Sequence, residues 1–597
     1  MRCASVEARD AFARGAKASS RASLRASPVH DDDRKQHGRA ASQHTIKDAS
    51  ASRNRVLLRT DESSAFALLG GGPRPNIRPA PQAGARAKAG HAVNQEPTPI
   101  AEEPIDRHED LSVGAVDDLK RRARWGVVIL AGRTVLVQLT VLGGQVALAR
   151  LLDPRDFGVY AIVQFALSFF VLFGDAGLGG GLIQQKTEPS ERELSSVFWF
   201  QVLMALAVIA VVFTVAGLAP LVWKELPEVG PWLLRALSLQ LMLTALRVVP
   251  CILMERELQF GKLATLDLAL SATFYIAAVG LAWRGWGVWS LILAVVAQGG
   301  VGLIVAYILR PFRPMAALDR QFLRGVLRFG VPFQLNYAVG FINGAVTPLY
   351  AGAKLGAHSL GLLGWAQNTA YFPLKLVEIV GRVAFPLYSR LQNDKRLLGE
   401  SFGRSVQLCA SFTAFFVALF LGMGEKVITI VFSEKWMPAL VPLYIYSCAI
   451  AVGFLTPLVV AVLESTGRPR LALRLSLCWT ALNWVIVPIV GARWGTVGFA
   501  LAYCAHVVLG NLFVMALTSR LIPHARLLRR LWSPALGGCV VYGLARYVFA
   551  PRMDGGVEFV GAVVALVLAH AASLLILDRR GFIDACMLVP NAKASPA

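Results

Sequence analysis

The chain has 597 residues, 55% of them hydrophobic and 16% charged, with a mean hydropathy of +0.53. Soluble domains carry roughly 25% charged residues, so this composition excludes a soluble multidomain enzyme. The net charge is +22, yet residues 1–120 hold 19 basic against 16 acidic residues, leaving 41 against 22 in the hydrophobic remainder. A nucleic-acid binder would carry its basic excess on a polar domain, so no nucleic acid is expected as a partner.

Residues 1–118 are rich in Ala, Arg, Ser, Pro and Gly and contain no Trp. Such a segment buries too little apolar surface to offset chain entropy, and it reads as a disordered basic leader. It lacks the apolar stretch of a secretory signal, and Asp31–Asp33 argue against a transit peptide. After Met1 the next methionine is Met204. Translation beginning at a non-Met codon near Leu111 or Val113 therefore stays open as an alternative, with the leader outside the true protein. Deleting residues 2–110 is expected to leave function intact.

From Trp125 onward the apolar runs are long enough to cross a bilayer, which takes about 20 residues as a helix. Spans are predicted near 125–149, 158–178, 195–219, 231–253, 264–283 and 286–310. After the break Arg310-Pro311-Phe312-Arg313-Pro314, others follow near 326–351, 360–387, 403–424, 438–463, 471–491, 494–517, 533–550 and 558–577. The fold class is thus an all-α polytopic membrane protein with about fourteen transmembrane helices. The predicted layout is an N-terminal six-helix bundle (120–310), a linker (311–325), a C-terminal six-helix bundle (326–520), two additional helices (531–578) and a tail (579–597).

Orientation follows from Lys and Arg in short loops. The even-numbered loops are rich in them: Arg310, Arg313, Arg320, Arg324 and Arg328 in one, Arg520, Arg526, Arg529 and Arg530 in another. Lys120 to Arg124 precede the first span, and Arg579 and Arg580 follow the last. The odd-numbered loops carry few. Both termini and the linker are expected on the cytoplasmic side of a cytoplasmic (inner) membrane.

The two halves repeat. Leu152, Gly158 and Gln164 map on Leu355, Gly361 and Gln367 at a constant offset of 203, and Glu255-Arg256 is echoed by Glu464 and Arg468. A six-span repeat preserves orientation, which predicts two parallel bundles around a central cavity, as in alternating-access transporters.

Four motifs then appear in order: Leu148-Ala-Arg-Leu-Leu-Asp-Pro-Arg-Asp-Phe-Gly-Val-Tyr160, Ser196-Val-Phe-Trp199, Glu255-Arg-Glu-Leu-Gln-Phe260 and Phe385-Pro-Leu-Tyr-Ser-Arg-Leu391. With Phe173-Gly-Asp-Ala-Gly-Leu178 and Leu182-Ile-Gln-Gln-Lys186, their co-linear order resembles the Wzx-type polysaccharide flippases. These belong to the multidrug/oligosaccharidyl-lipid/polysaccharide exporter superfamily, and the likeness covers about 120–520. The resemblance is nearest to the branch handling colanic-acid-like exopolysaccharides. It implies a non-enzymatic transporter that flips undecaprenyl-diphosphate-linked oligosaccharide repeat units, with the lipid bilayer, and a polymerase and chain-length regulator of the same pathway, as further partners. A lipid II flippase of peptidoglycan synthesis is the alternative from the same superfamily. A membrane glycan polymerase or ligase is a third, disfavoured by short non-cytoplasmic loops.

The candidate site residues are polar groups inside spans, where a charge costs on the order of 3 kcal/mol on insertion scales. Lys375, Glu378 and Arg382 recur at one helix face. They read either as a cationic stripe able to meet a diphosphate or as an internal ion-pair ladder. Arg133 and Gln138 in the first span, and Asn336 and Asn343 in the seventh, offer donors and acceptors for sugar hydroxyls; helix–helix hydrogen bonding is the other reading. Arg247 in span 4 faces either a cavity or a structural partner. Asp175 reads as local loop bonding, His506 and His570 as structural histidines. Seven scattered cysteines in the hydrophobic part present no ligand spacing, and no nucleotide or metalloprotease motif appears. No cofactor or metal is expected.

Overall fold

The structure is a computed structural model that describes residues 136–174, 182, 188–491, 493–518 and 525–587. The predicted leader 1–118, Arg133 and Asp175 lie outside the described residues. Among those described, the regular structure is helical, with no strand.

The first half comprises α1 (Leu136–Leu151), α2 (Pro154–Gly174), α3 (Glu191–Val215, extended by short turns to Val222), α4 (Gly230–Arg256), α5 (Phe260–Trp283) and α6 (Val288–Leu309). The second comprises α7 (Arg320–Val346), α8 (Gly352–Ala370), α9 (Phe372–Arg390), α10 (Lys395–Lys426), α11 (Leu440–Gly453), α12 (Leu455–Ser465), α13 (Pro469–Gly491) and α14 (Gly495–Thr518). Two more, α15 (Ala525–Gly543) and α16 (Gly556–Met587), follow.

Ten helical stretches among the described residues are long and apolar enough to cross a membrane, and the chain is an all-α polytopic membrane protein. The 22 residues of α6 measure about 33 Å at 1.5 Å per residue, close to the thickness of a bilayer's hydrocarbon core. The chain turns from α5 into α6 through Gly285 (φ 80°) and Gly287 (φ 51°), left-handed positions that suit glycine. Polar boundaries are capped. The Ser190 hydroxyl accepts the Glu193 amide while the Glu193 carboxylate accepts the Ser190 amide, a reciprocal box opening α3. Asp319 caps α7 and Asp394 caps α10 in the same sense.

Two predicted spans turn out to be broken. The 360–387 span is divided between α8 and α9, and 438–463 between α11 and α12. Pro373 and Pro457 explain both breaks: neither can donate to the carbonyl four residues back, so the helical ladder stops at Ala370 and at Gly453. Between the predicted spans 7 and 8, α8 is kinked at Gly356 (φ 75°).

The largest apolar core crosses the two halves. Ile162 and Leu167 of α2 and Leu233 and Leu237 of α4 share it with Leu363 of α8, Leu443 and Tyr446 of α11 and Phe499 of α14. A smaller cluster also joins the halves, with Val197 of α3 and Ile252 of α4 against Leu323 and Val326 of α7, and another seats α15 and α16 on α10 through Phe415, Leu419, Val541 and Leu566. A buried polar contact accompanies that seat. The Gln407 amide donates to Asp578 (2.9 Å) and accepts from Arg530 (3.3 Å), while His570 Nε2 lies 3.0 Å from the Ser411 carbonyl.

Candidate functional site: a cavity between the halves

A cavity of about 790 Å³ lies between the two halves, walled by α1, α2, α5 and α6 on one side and by α7, α8, α13 and α14 on the other. Its described lining carries no formal charge. Amides project from both halves (Gln145 and Gln164; Asn343, Gln367, Asn368 and Asn483), among aromatic rings such as Tyr160, Tyr275, Phe341 and Trp365. Amides supply both donors and acceptors, and ring faces supply flat apolar contact, the two things a sugar surface needs. Gly144 leaves room for the Tyr275 ring, since a Cβ there would overlap it. The Asn483 amide donates to both the backbone and side-chain oxygens of Asn343 (2.9 and 3.1 Å), fixing α13 against α7.

A second compartment of about 320 Å³ adjoins the first, with Gln145 and Asn368 on both walls. It is lined by Gln138 of α1 and by Lys375 and Glu378 of α9. Lys375 and Glu378 are exposed, and neither they nor Arg382 form an ion pair with a described residue. The self-neutralising ladder is therefore not what this arrangement presents.

One end of the cavity is closed by contacts between the halves. Gly158 of α2 lies so close to the Ala357 carbonyl that a Cβ would overlap it, and Gly361 of α8 lies equally close to the Pro154 carbonyl. Trp436 donates from Nε1 to the Ala149 carbonyl (2.8 Å) and stacks on Trp365 with centroids 5.1 Å apart. Arg150 donates to the Val431 carbonyl (2.8 Å), and Lys435 to the Arg150 carbonyl (2.9 Å). Lys435 also lies 3.7 Å from the Asp153 carboxylate; that exposed pair adds about 0–1 kcal/mol. Trp223 donates to the Pro348 carbonyl (3.2 Å). This closed end is proposed below to act as a gate.

At the other end the linker between the halves is strapped to the start of α3. Trp199 Nε1 donates to the Met315 carbonyl (2.8 Å), Ser195 Oγ accepts the Met315 amide (3.0 Å) and Ser196 Oγ accepts the Asp319 amide (2.6 Å). Phe312 packs on Phe198, centroids 5.9 Å apart. Nearby, Glu257 and Arg310 pair at 2.7 Å, joining the α4–α5 turn to the end of α6. Of the motifs that carried the family resemblance, Leu148–Tyr160 lies at the closed end, where Leu148, Phe157 and Tyr160 also line the cavity, and Ser196–Trp199 and Glu255–Phe260 lie at the strapped end; most of Phe173–Leu178 and of Leu182–Lys186 lies outside the described residues.

Of the residues singled out from sequence, Gln138, Lys375 and Glu378 come together in the smaller compartment. Asn343 lines the central cavity and also a third one of about 510 Å³ beside α12 and α13. Arg382 is exposed but lines none of the three. Arg247 lines none either. It is half-buried, with Nη1 packed beside Gly302 of α6 and Leu270 of α5 and without a hydrogen-bond partner among the described residues. The side chain of Asn336 and the whole of Arg133 lie outside the described residues. Sequence reasoning passed over Tyr275, Trp365, Asn368 and Asn483 as wall residues. It met Gln164 and Gln367 only as repeat markers, although their recurrence in both halves was a usable signal.

A family model for polysaccharide biosynthesis proteins matches residues 147–441. The lipopolysaccharide biosynthesis protein WzxC of Escherichia coli is 26% identical over 358 residues, covering 58% of this chain and 68% of that one. The succinoglycan biosynthesis transport protein ExoT of Rhizobium meliloti is 27% identical over 339 residues, covering 56% and 67%. Among solved structures, the lipid II flippase MurJ in an inward closed conformation superposes with a TM-score of 0.63 at 14% identity, over 76% of this chain and 99% of that one. An inward-facing multidrug transporter of the MATE family gives 0.52 at 13% identity, over 66% and 98%. The fold and its inter-half cavity define a multi-span membrane protein whose fold is similar to those of these two transporters. In sequence the chain is similar to Wzx-type polysaccharide exporters.

Proposed function

We propose that the protein flips undecaprenyl-diphosphate-linked oligosaccharide repeat units across the inner membrane for polysaccharide export. It acts as a transporter and makes or breaks no covalent bond. The observation that carries the reading is the pairing of a large uncharged amide-and-aromatic cavity with an adjoining compartment that holds Lys375. In this reading the sugars occupy the larger space and the diphosphate meets Lys375, which offers it a point charge. The names of the sequence relatives favour polysaccharide precursors over lipid II; the likeness to the lipid II flippase concerns the fold.

Fourteen spans complete the proposal, with α1, α7, α8–α9 and α15 crossing beside the ten apolar stretches. Both termini and the 311–325 linker face the cytoplasm, so the gate end faces outward. Two six-helix bundles rock against each other around the cavity, α15 and α16 riding on the second. A polymerase and a chain-length regulator receive the flipped units. Lipid analysis of cells lacking the chain tests the function: undecaprenyl-linked repeat units should accumulate in the inner leaflet while surface polymer disappears. Normal surface polymer without accumulation would overturn it.

A further inference from the structure

The repeat markers Gly158 and Gln164 on α2, and Gly361 and Gln367 on α8, place a glycine contact and a glutamine pair on the same two helices. The glycines close the gate end. Six residues along each helix, about 9 Å at 1.5 Å per residue, Gln164 and Gln367 line one cavity from opposite halves. Gln164 Oε1 is buried and accepts no hydrogen bond from the described residues. An unsatisfied buried acceptor costs about 1–3 kcal/mol, and a ligand hydroxyl would remove that penalty. Asn368 and Tyr160 stand beside the pair on the same two helices.

We infer that Gln164 and Gln367 form a hydroxyl-binding clamp for the glycan, held across the pseudo-two-fold axis directly inside the gate. The inference rests on the proposed lipid-linked oligosaccharide cargo and assigns its sugar-reading residues. Each carboxamide both donates and accepts, so the pair suits vicinal or bridging hydroxyls of an uncharged sugar. Because each glutamine belongs to one gate helix, a sugar engaging both ties α2 to α8 without touching the Lys375 compartment. Recognition of sugar and recognition of diphosphate then sit on different residues.

Native mass spectrometry on the full-length protein in detergent separates the two. One probe is undecaprenyl diphosphate; the other is the lipid-linked oligosaccharide pool extracted from cells lacking the chain. Wild type should bind the sugar-bearing pool at least tenfold more tightly than the sugarless lipid. Gln164→Ala and Gln367→Ala should each reduce that ratio about fivefold or more. Gln164→Glu and Gln367→Glu, isosteric and without the amide donors, should also lower it and serve where an alanine variant fails to fold. A ratio unchanged in correctly folded variants would overturn the clamp while leaving the cargo assignment standing. A wild type that binds neither probe would overturn the cargo assignment, and the clamp with it.

Discussion

Gly158 packs against the carbonyl of Ala357, and Gly361 packs against the carbonyl of Pro154. The two contacts are images of one another at an offset of 203 residues, the offset that relates the halves in sequence. Such reciprocity is the mark of a two-fold interface, here inside one chain. It places the pseudo-symmetry axis between α2 and α8 at the closed end of the cavity.

That contact should hold the closed form together. Gly158→Ala or Gly361→Ala inserts a methyl group into a backbone carbonyl, so the helices must separate, at a cost to the closed form of about 1–3 kcal/mol. Spin labels at Lys224 and Lys354, one at the gate end of each half, should show a longer distance in either variant. The double variant should add little beyond a single one, because both disrupt one interface. Unchanged distances would mean the contact does not hold the gate.

Trp436 supports the same closure with its Nε1 hydrogen bond to Ala149. Trp436→Phe removes the donor while keeping a ring against Trp365, and should weaken the closed form by about 1 kcal/mol. The same labelled pair should show a larger open population, smaller in effect than the glycine substitutions. An effect as large as theirs would assign the packing, not the hydrogen bond, to Trp436.

Lys375 and Arg382 share a helix face but not a compartment. Lys375→Ala should slow transport tenfold or more, equivalent to about 1.4 kcal/mol, at normal membrane abundance. Arg382→Ala should cost clearly less, and Glu378→Gln should stay active. In-cell polymer export with quantified membrane levels reads all three. Equal losses for Lys375→Ala and Arg382→Ala would return the cation role to the whole stripe.

The linker strap gives a local prediction. Ser196→Ala removes the acceptor of the Asp319 amide and should destabilise the start of α7 by about 1–3 kcal/mol. Hydrogen exchange across 315–325 should speed up, with exchange in α14 unaltered. No change at 315–325 would show that Trp199 and Phe312 hold the linker unaided.

Much of this architecture was legible in the residues. Apolar runs of span length mark α2 through α6 and α10 through α14, because a bilayer demands both properties at once. Gly158 and Gln164, matched to Gly361 and Gln367, marked the symmetry; the glycines lie at the contact between the halves and the glutamines on the cavity wall. The cavity was less legible. Lys375 and Glu378 are conspicuous because charge in a span is costly, whereas Tyr275, Trp365 and Asn483 look like ordinary span residues until neighbouring helices are placed. Arg247 was conspicuous for the same reason as Lys375, yet it packs among α4, α5 and α6. The cost of a charge marks it as unusual without saying which cavity, if any, it faces. Pro373 and Pro457 signalled breaks that a search for continuous apolar runs smooths over.

This cavity should carry lipid-linked oligosaccharide from one leaflet to the other. Purified full-length protein in liposomes, with the extracted lipid-linked oligosaccharide pool placed in both leaflets and a membrane-impermeant glycosidase outside, measures that transfer directly. Cleavage should proceed from about half of the pool to nearly all of it with the wild type, about tenfold more slowly with Lys375→Ala, and should stay near half in protein-free liposomes. Cleavage that remains at half with folded wild-type protein would contradict that transfer.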